Sequence, residues 1–384
     1  MDAAATERQG PQLHGLVSPR RVVGTLLLGC VAASLLAGIA GGLFRLGIAI
    51  GEPAAPWRGR AALAHAALMM CGFLGTVISI ERAVAAKHRL AWIAPLASGL
   101  AGLALLRGAH ALAGGLLVAA ACAFVGVNLL LLQRQRASHT GLLLVSAAAW
   151  LVGNLLFALG AGAAAVLPWW FAFLVVTIAA ERLEMTRLMR RRPGAQTALY
   201  LILAVMVLGA AASTVSPAAG GVLFGASLVA LSAWLFAFDI ARRTVRAQGL
   251  SRYMAVCLLG GYVWLAFGGA AWLATALGVQ SRDMALHALG LGFILSMIMG
   301  HAPVILPAIA RVKLLWGPIF YLPLAALHGS LLLRLFGGLV DFHWRTQGAL
   351  FNAFSIGLFA LTMAGAALAW RRRHGPRAPA SDTP

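Results

Sequence analysis

Long apolar runs separated by short polar segments dominate this sequence. An α-helix needs about 20 predominantly apolar residues to cross the hydrocarbon core of a bilayer. Because the apolar runs reach that length, the pattern predicts an all-α polytopic transmembrane bundle. Twelve spans are predicted, at about 22–48, 62–84, 90–107, 111–132, 140–160, 165–184, 196–216, 219–240, 253–277, 284–308, 314–336 and 348–370.

Composition supports a membrane protein and excludes other classes. Of the 384 residues, 61% are hydrophobic and 10% are charged, whereas about a quarter of a soluble domain is charged. The formal net charge of +20 falls in short basic clusters between apolar runs, which indicates contact with anionic lipid rather than nucleic acid. We therefore predict a cytoplasmic N-terminal tail at 1–21, one transmembrane domain at 22–370 and a cytoplasmic C-terminal tail at 371–384.

The distribution of arginine and lysine predicts the orientation of the bundle. The basic runs at 190–192, 242–243 and 371–373 all fall on the same side of the predicted spans as the two termini. By the positive-inside rule, that side faces the cytoplasm. We expect a multi-pass protein of a bacterial cytoplasmic (inner) membrane with both termini in the cytoplasm.

A weak internal repeat has a period of about 100 residues, which is close to four spans. Glu81-Arg82 ends span two, and Glu181-Arg182 ends span six. If this match is not due to chance, spans two, six and ten are equivalent members of three four-helix units, giving a three-fold pseudo-repeat.

His65 and His287 are the most informative polar residues inside the spans. Each lies about three residues inside the extracytoplasmic end of its span, so the two imidazoles are expected at matching depth. At helical spacing, His65 shares a face with Met69, Gly72 and Thr76, and such a face is directed to protein or a cofactor rather than lipid. Two imidazoles facing each other at one depth are what a haem iron needs on its two sides. We interpret the two residues as axial ligands of one b-type haem, the alternative being hydrogen-bonded histidines at two helix starts.

A second set of polar residues is predicted near the cytoplasmic ends of the spans. His301 lies 14 residues beyond His287, about 21 Å deeper at 1.5 Å per residue and turned by about 40° at 100° per residue. This polar cluster is interpreted either as a point where a proton or an anion enters or as interfacial salt bridges that anchor helices. Its members are His301, Glu81, Arg82, Glu181 and Arg182.

Further candidates for ligands are histidine and sulfur. His328 lies late in span eleven, in the predicted outer half, and is interpreted as a substitute axial ligand, a distal-pocket group or a copper ligand. The run Met69-Met70-Cys71 offers soft donors for Cu(I), but three consecutive helix residues point about 100° apart and cannot all bind one ion. The remaining histidines lie in predicted loops or tails and are expected to be solvated: His14, His88, His110, His139, His343 and His374.

The residues around the two span-start histidines resemble the NnrS family, twelve-span haem- and copper-containing membrane proteins linked to nitric oxide resistance. In span two, His65 and Gly72-Phe73 match that family's His-Ala-His-Glu-Met motif with its following Gly-Phe, whereas its second histidine and glutamate are missing here. In span ten, the segments 286–289 (Leu-His-Ala-Leu) and 297–299 (Met-Ile-Met) fit the family pattern. A more distant likeness is to helices two and ten of haem–copper oxidase subunit I. The resemblance implies a divergent NnrS member with haem b between spans two and ten and with copper.

The expected function is that of an NnrS-like haem protein that binds nitric oxide or transfers single electrons. Its expected partners are the lipid bilayer and a small diatomic ligand or redox partner, without nucleic acid. A stand-alone oxidase or reductase is not favoured, because the extra imidazoles of a second metal centre are missing. The alternatives are a secondary transporter, in which the same histidines line a path, and a haem or copper assembly factor without catalysis.

Overall fold

The computed structural model describes residues 19–48, 55–186, 193–310 and 312–374, and in these ranges every regular element is a helix. Twelve of the described helices are long and apolar enough to cross a membrane, and we number them α1 to α12. The protein is therefore an all-α polytopic bundle. The twelve helices are Val23–Phe44, His65–Ala86, Arg89–Arg107, His110–Arg134, Ser138–Ala158, Ala163–Met185, Ala195–Ala212, Pro217–Phe238, Gly249–Ala276, Arg282–Ala308, Pro318–Val340 and Phe342–His374.

The predicted number of spans is confirmed, with small changes at their ends. Spans three and four, which the sequence separates by only a few residues, are divided at Gly108, whose φ of +80° stops α3 at Arg107 before α4 begins at His110. Glycine adopts this left-handed conformation without steric penalty. The first helix runs from Pro19 to Phe44 and so ends before the predicted residue 48.

Both predicted tails lie largely beyond the described ranges. Residues 1–18 of the N-terminal tail and residues 375–384 of the C-terminal tail lie outside the described residues. The last helix continues through the basic run 371–373 to His374, so the predicted end of the transmembrane domain at 370 falls within α12.

Successive helices run in opposite directions, because most are joined by connections too short to return across a bilayer. Helices α2 and α10 begin on the same side, which carries His65 and which we call the His65 side. The opposite side, where α2 and α6 end, we call the Arg82 side.

The interior of the bundle is built around α6. Its most apolar 18-residue window is 78% buried, the largest share among the twelve helices. Phe173 of α6 stacks on Trp150 of α5 with ring centroids 5.0 Å apart, and Phe124 of α4 meets both rings edge-on. Helices α2 and α10 each contain a π-helical segment that α6 lacks. In this respect α2 and α10 are more alike than either is to α6, the third helix of the predicted repeat.

Gly348 allows the backbones of α11 and α12 to come into direct contact. A Cβ atom on Gly348 of α12 would collide with the backbone nitrogen and Cα of Arg334 in α11. A Cβ on Gly357, further along α12, would meet nothing within 4 Å. The two positions therefore form a matched pair on one helix.

We expect Gly348→Ala to lower the free energy of unfolding by about 1–3 kcal/mol, because backbone atoms must shift to admit the methyl group. Gly357→Ala should leave stability unchanged or raise it slightly, since alanine favours helix over glycine. Thermal unfolding of the two purified variants in detergent tests this. Equal melting temperatures would show that the α11–α12 contact tolerates separation.

Candidate functional site

The structure brings the two span-start histidines together. The ring centroids of His65 in α2 and His287 in α10 are 6.4 Å apart, and their planes are inclined by 24°. Both residues are partly buried. The starts of α2 and α10 therefore meet at one level on the His65 side.

Each of these rings is fixed by a hydrogen bond from Nδ1. The Nδ1 atom of His65 lies 2.7 Å from the carbonyl oxygen of Gly38, and that of His287 lies 2.9 Å from the carbonyl oxygen of Asp283. A carbonyl can only accept, so Nδ1 carries the hydrogen in both rings. In the neutral imidazole this leaves the Nε2 lone pair free. Histidines that ligate metals show this arrangement, in which the second nitrogen donates to a carbonyl or carboxylate.

A carboxylate that is paired with an arginine contacts His287. The Oδ1 atom of Asp283 lies 3.1 Å from Nδ1 of His287. Arg334 of α11 donates to both carboxylate oxygens of Asp283, from Nη2 at 2.8 Å and from Nε at 3.3 Å. A two-point arginine–carboxylate pair fixes the orientation of the carboxylate, so α11 helps to position His287.

The ring of His65 packs against glycines of α1. A Cβ atom on Gly42 of α1 would lie 2.9 Å from Cε1 of His65. Glycine at this position therefore makes room for the ring, while Gly38 supplies the carbonyl that holds it. The two histidines are thus unequal, because His287 has a charged partner and His65 has a backbone carbonyl.

Asp283 and Arg334 were not identified from the sequence, although a signal was present. Asp283 stands one helical turn before His287, and Arg334 is an arginine inside a predicted span, where ionisable residues are rarely placed without a function. The sequence does not show the contact between α10 and α11 that brings Asp283 and Arg334 together.

π-Helical segments follow both histidines. Leu68–Gly75 is π-helical after His65, and Ala288–Leu295 is π-helical after His287. Such segments are rare and frequently lie at functional sites. A π-helical turn contains more residues than an α-helical turn, so faces deduced at 100° per residue do not continue through these segments.

The predicted face of α2 changes accordingly. A Cβ on Gly72 would lie 2.7 Å from Oγ of Ser34 in α1 and 3.4 Å from Cα of Gly102 in α3. The small residues on this part of α2 therefore pack against protein, whereas His65 faces α10. α-Helical spacing predicts His65 and Gly72 on one face of α2. The π-helical segment Leu68–Gly75 places them on different faces.

His328 has different neighbours from those expected. Nε1 of Trp264 in α9 donates to its Nδ1 at 2.6 Å, and Oγ of Ser296 in α10 lies 3.5 Å from its Nε2. Ser296 is nine residues beyond His287 along α10, after the π-helical segment, and so lies deeper in the bundle. His328 therefore lies at the level of Ser296 rather than of the histidine pair. Its assignment as a third haem-binding residue stays a prediction.

The sulfur atoms of α2 point to different helices. Met69 packs against Gly38 of α1, while Sγ of Cys71 lies 3.4 Å from Oδ1 of Asn154 and 3.5 Å from Nε1 of Trp150, both in α5. In the described part of the chain, no group of three or more His, Cys, Asp or Glu side chains is arranged to hold a metal ion. Asn154 also accepts from Trp170 of α6 at 2.9 Å, so this region is a polar network that joins α2, α5 and α6.

The predicted polar cluster comes together at the Arg82 side. Nη2 of Arg82 lies 2.9 Å from Glu181 and 3.4 Å from Glu81. His301 interacts electrostatically with Glu81 and with Arg182. Helices α2, α6 and α10 therefore contribute to one cluster, as the sequence predicted.

The structure adds an acid to this cluster that the sequence analysis did not identify. Oδ2 of Asp239, which directly follows α8, lies 3.6 Å from Nε of Arg182, and the two side chains are 1% and 4% exposed. Asp239 follows an apolar run and precedes a basic one, a position that reads as an ordinary helix end in the sequence. Its burial depends on how α8 meets α6.

One histidine expected in a loop is buried. His139 belongs to α5, is 6% exposed and lies 3.7 Å from Glu184 of α6. The expectation that it is solvated is wrong, because α5 begins earlier than predicted and packs on α6. His14 lies outside the described residues, whereas the four other loop or tail histidines are exposed: His88, His110, His343 and His374.

Comparison with known proteins places the chain in a family. Residues 21–368 match the model of a family described as Domain of unknown function (DUF8744). No curated protein and no solved structure matches the chain. Because the match extends over nearly all of the sequence, the protein belongs to the DUF8744 family.

Proposed function

We propose that this protein binds one b-type haem, with His65 and His287 as the two axial ligands on the His65 side of the bundle. The pairing of these rings carries the proposal, since their centroids lie 6.4 Å apart in planes inclined by 24°. If both Nε2 atoms of this stacked pair were directed at one metal ion, bonds of about 2 Å with about 1 Å more to each ring centre would correspond to centroids about 6 Å apart. The Nδ1 hydrogen bonds leave both Nε2 lone pairs free for a metal.

His65 and His287 would be held in position with different firmness. His287 is held by Asp283 and Arg334, whereas His65 is held by the carbonyl of Gly38. When bound, haem supplies one-electron redox chemistry, and it supplies gas binding only where an axial position is open. With both histidines in place the site suits electron transfer. Nitric oxide could bind only if one histidine were displaced, and His65, which is held by a backbone carbonyl, would be the one displaced.

The resemblance of the His65 and His287 motifs to the NnrS family supports a role in nitrosative-stress or respiratory metabolism. The positive-inside rule supports a bacterial inner membrane with the His65 side outside the cytoplasm. The site would then exchange electrons or bind nitric oxide near the outer surface of that membrane.

An optical spectrum of the full-length protein tests the proposal. The protein is purified in detergent from cells supplied with haem precursor, and a dithionite-reduced minus oxidised spectrum is recorded. We expect the α-band of a b-type haem, and a change in that band when nitric oxide is added to the reduced sample. Absence of haem from this preparation would contradict the proposal and favour a transporter or an assembly factor. A band that nitric oxide leaves unchanged would restrict the function to electron transfer.

Asp283→Asn is expected to weaken haem retention by about 10–100-fold, the usual effect of removing an outer-shell partner of a ligating histidine. The amide keeps the shape of the side chain but loses the charge that Arg334 and His287 both face. Transfer of haem to an excess of a competing apo-haem protein measures retention. The control is Asp341→Asn, because Asp341 is an exposed acid that also lies on the His65 side of the bundle. Equal transfer rates for the two variants would show that the carboxylate does not position His287.

A further inference from the structure

Within the described residues, the ionised side chains of the cluster around Arg82 and Arg182 do not balance in charge. Arg182 pairs with Asp239, and both side chains are almost fully buried. Arg82 faces two carboxylates through a single nitrogen, with Nη2 at 2.9 Å from Glu181 and at 3.4 Å from Glu81. Among the ion pairs described here, three carboxylates therefore share two guanidinium groups, which leaves one negative charge in excess.

Glu81 is the less closely paired of the two acids that share Arg82. Its contact with Arg82 is long for a hydrogen bond between charged groups, which is usually 2.7–2.9 Å. It also interacts with the like charge of Glu181. An uncompensated carboxylate inside a membrane span is costly, and one added proton removes that cost.

His301 offers a second place for the proton. Its Nδ1 lies 2.7 Å from the carbonyl oxygen of Met297, so Nδ1 carries a hydrogen and Nε2 is the free acceptor. The ring interacts electrostatically with Glu81, Arg182 and Asp239. Protonation of Nε2 would place a positive charge beside the excess negative one.

Two further titratable groups interact with these side chains in the described part of the chain. Tyr262 of α9 is fully buried and interacts with Asp239 and Arg182. Glu184 of α6 interacts with both Glu81 and Glu181, and it pairs with His139 of α5 at 3.7 Å.

The exposure of the acids divides the cluster into a buried part and a part at the surface of the bundle. The side chains of Glu81 and Glu181 are 31% and 28% exposed, whereas those of Arg182 and Asp239 are 4% and 1% exposed. The pair of Arg182 and Asp239 is therefore buried, and the two acids that share Arg82 lie at the surface of the bundle.

We propose that Glu81, Glu181 and His301 form a site that takes up one proton from the aqueous phase at the Arg82 side. A hydronium ion gives up its proton, water remains, and a new O–H bond on a carboxylate or a new N–H bond on Nε2 of His301 forms. The net charge of the cluster changes from one negative charge to zero. This site is separate from the histidine pair and does not depend on the proposed haem.

Infrared difference spectroscopy of the full-length protein in lipid nanodiscs tests the site. Spectra are compared between about pH 5 and about pH 8, the range in which histidine changes charge. The wild-type protein should show a carboxyl signal that titrates in this range and corresponds to about one proton per chain. Glu81→Gln and Glu181→Gln should each remove most of that signal, because either change abolishes the excess charge. His301→Gln should remove an imidazole signal and shift the midpoint of the carboxyl signal.

Glu184→Gln is the matched control, because Glu184 lies on α6 near Glu181 but is 44% exposed and pairs with His139. We expect this variant to keep the titrating signal. A wild-type spectrum in which neither a carboxyl nor an imidazole signal titrates would overturn the proposal and leave a fixed set of salt bridges. A titrating carboxyl signal that persists in the Glu81→Gln variant and in the Glu181→Gln variant would also overturn the proposal. Because the first measurement uses the wild-type protein, the result does not depend on whether the variants fold.

Discussion

Alanine in place of His287 is expected to remove haem from the protein, and alanine in place of His65 is expected to leave a five-coordinate haem. The difference follows from the supports of the two rings. Asp283 and Arg334 position His287, so the ligand that remains in His65→Ala is the better-held one. The ligand that remains in His287→Ala is held by the carbonyl of Gly38 alone.

The measurements are haem content and the spectrum of carbon monoxide added to the reduced protein. His287→Ala should contain at least about ten times less haem than the wild type, in line with the loss expected from a weakened ligand shell. His65→Ala should bind carbon monoxide without having to displace a histidine. His343→Ala is the control, since His343 is exposed on the same side of the bundle, and it should match the wild type.

His328→Ala separates the proposed ligand pair from the alternative. The change removes the acceptor of the Trp264 indole hydrogen and should reduce stability while haem content stays at the wild-type level. Loss of haem in His328→Ala together with full retention in His65→Ala would show that the ligand pair has been assigned wrongly.

Asp239→Asn is expected to destabilise the folded protein by about 3–5 kcal/mol, the cost of leaving one member of a buried ion pair without its partner. Arg182 would keep its positive charge at 4% side-chain exposure, with the opposing carboxylate replaced by a neutral amide. The amide oxygen can still accept from the backbone nitrogen of Ala241, as Oδ1 of Asp239 does at 2.7 Å. The substitution therefore tests the charge of Asp239 and keeps the hydrogen bond from the backbone nitrogen of Ala241.

Thermal unfolding in detergent measures this effect, with Glu184→Gln as the control. The pair formed by Glu184 and His139 is longer and more exposed, and exposed pairs contribute about 0–1 kcal/mol. The double variant Arg182→Gln/Asp239→Asn should recover part of the lost stability, because it no longer contains an unpaired buried charge. Equal melting temperatures for Asp239→Asn and Glu184→Gln would contradict the importance of the buried pair.

Much of the site could be anticipated from the chain because depth in a membrane is a local property. The start of an apolar run sets the level of the first residues of a helix, and each further residue adds 1.5 Å. His65 and His287 were therefore predicted at one level, and Glu81, Glu181 and His301 at another. The structure shows both groups assembled.

The partners of these residues could not be anticipated in the same way. Helices in a bilayer are apolar on most of their surface, so the sequence gives little indication of which face meets which neighbour. The support of His287 by Arg334, the pairing of Arg182 with Asp239 and the burial of His139 each depend on such a meeting.

The sequence by itself determined the all-α class, the twelve spans and the common level of His65 and His287, because lipid demands about 20 apolar residues per helix and a hydrogen-bonded backbone. The tertiary structure alone decided which helices are neighbours and where each ring points. The π-helical segments after His65 and His287 are the clearest case. They change the number of residues per turn and therefore the helix faces on which Gly72 and the histidines lie. Packing between helices produces these segments, and the periodicity of the sequence does not predict them.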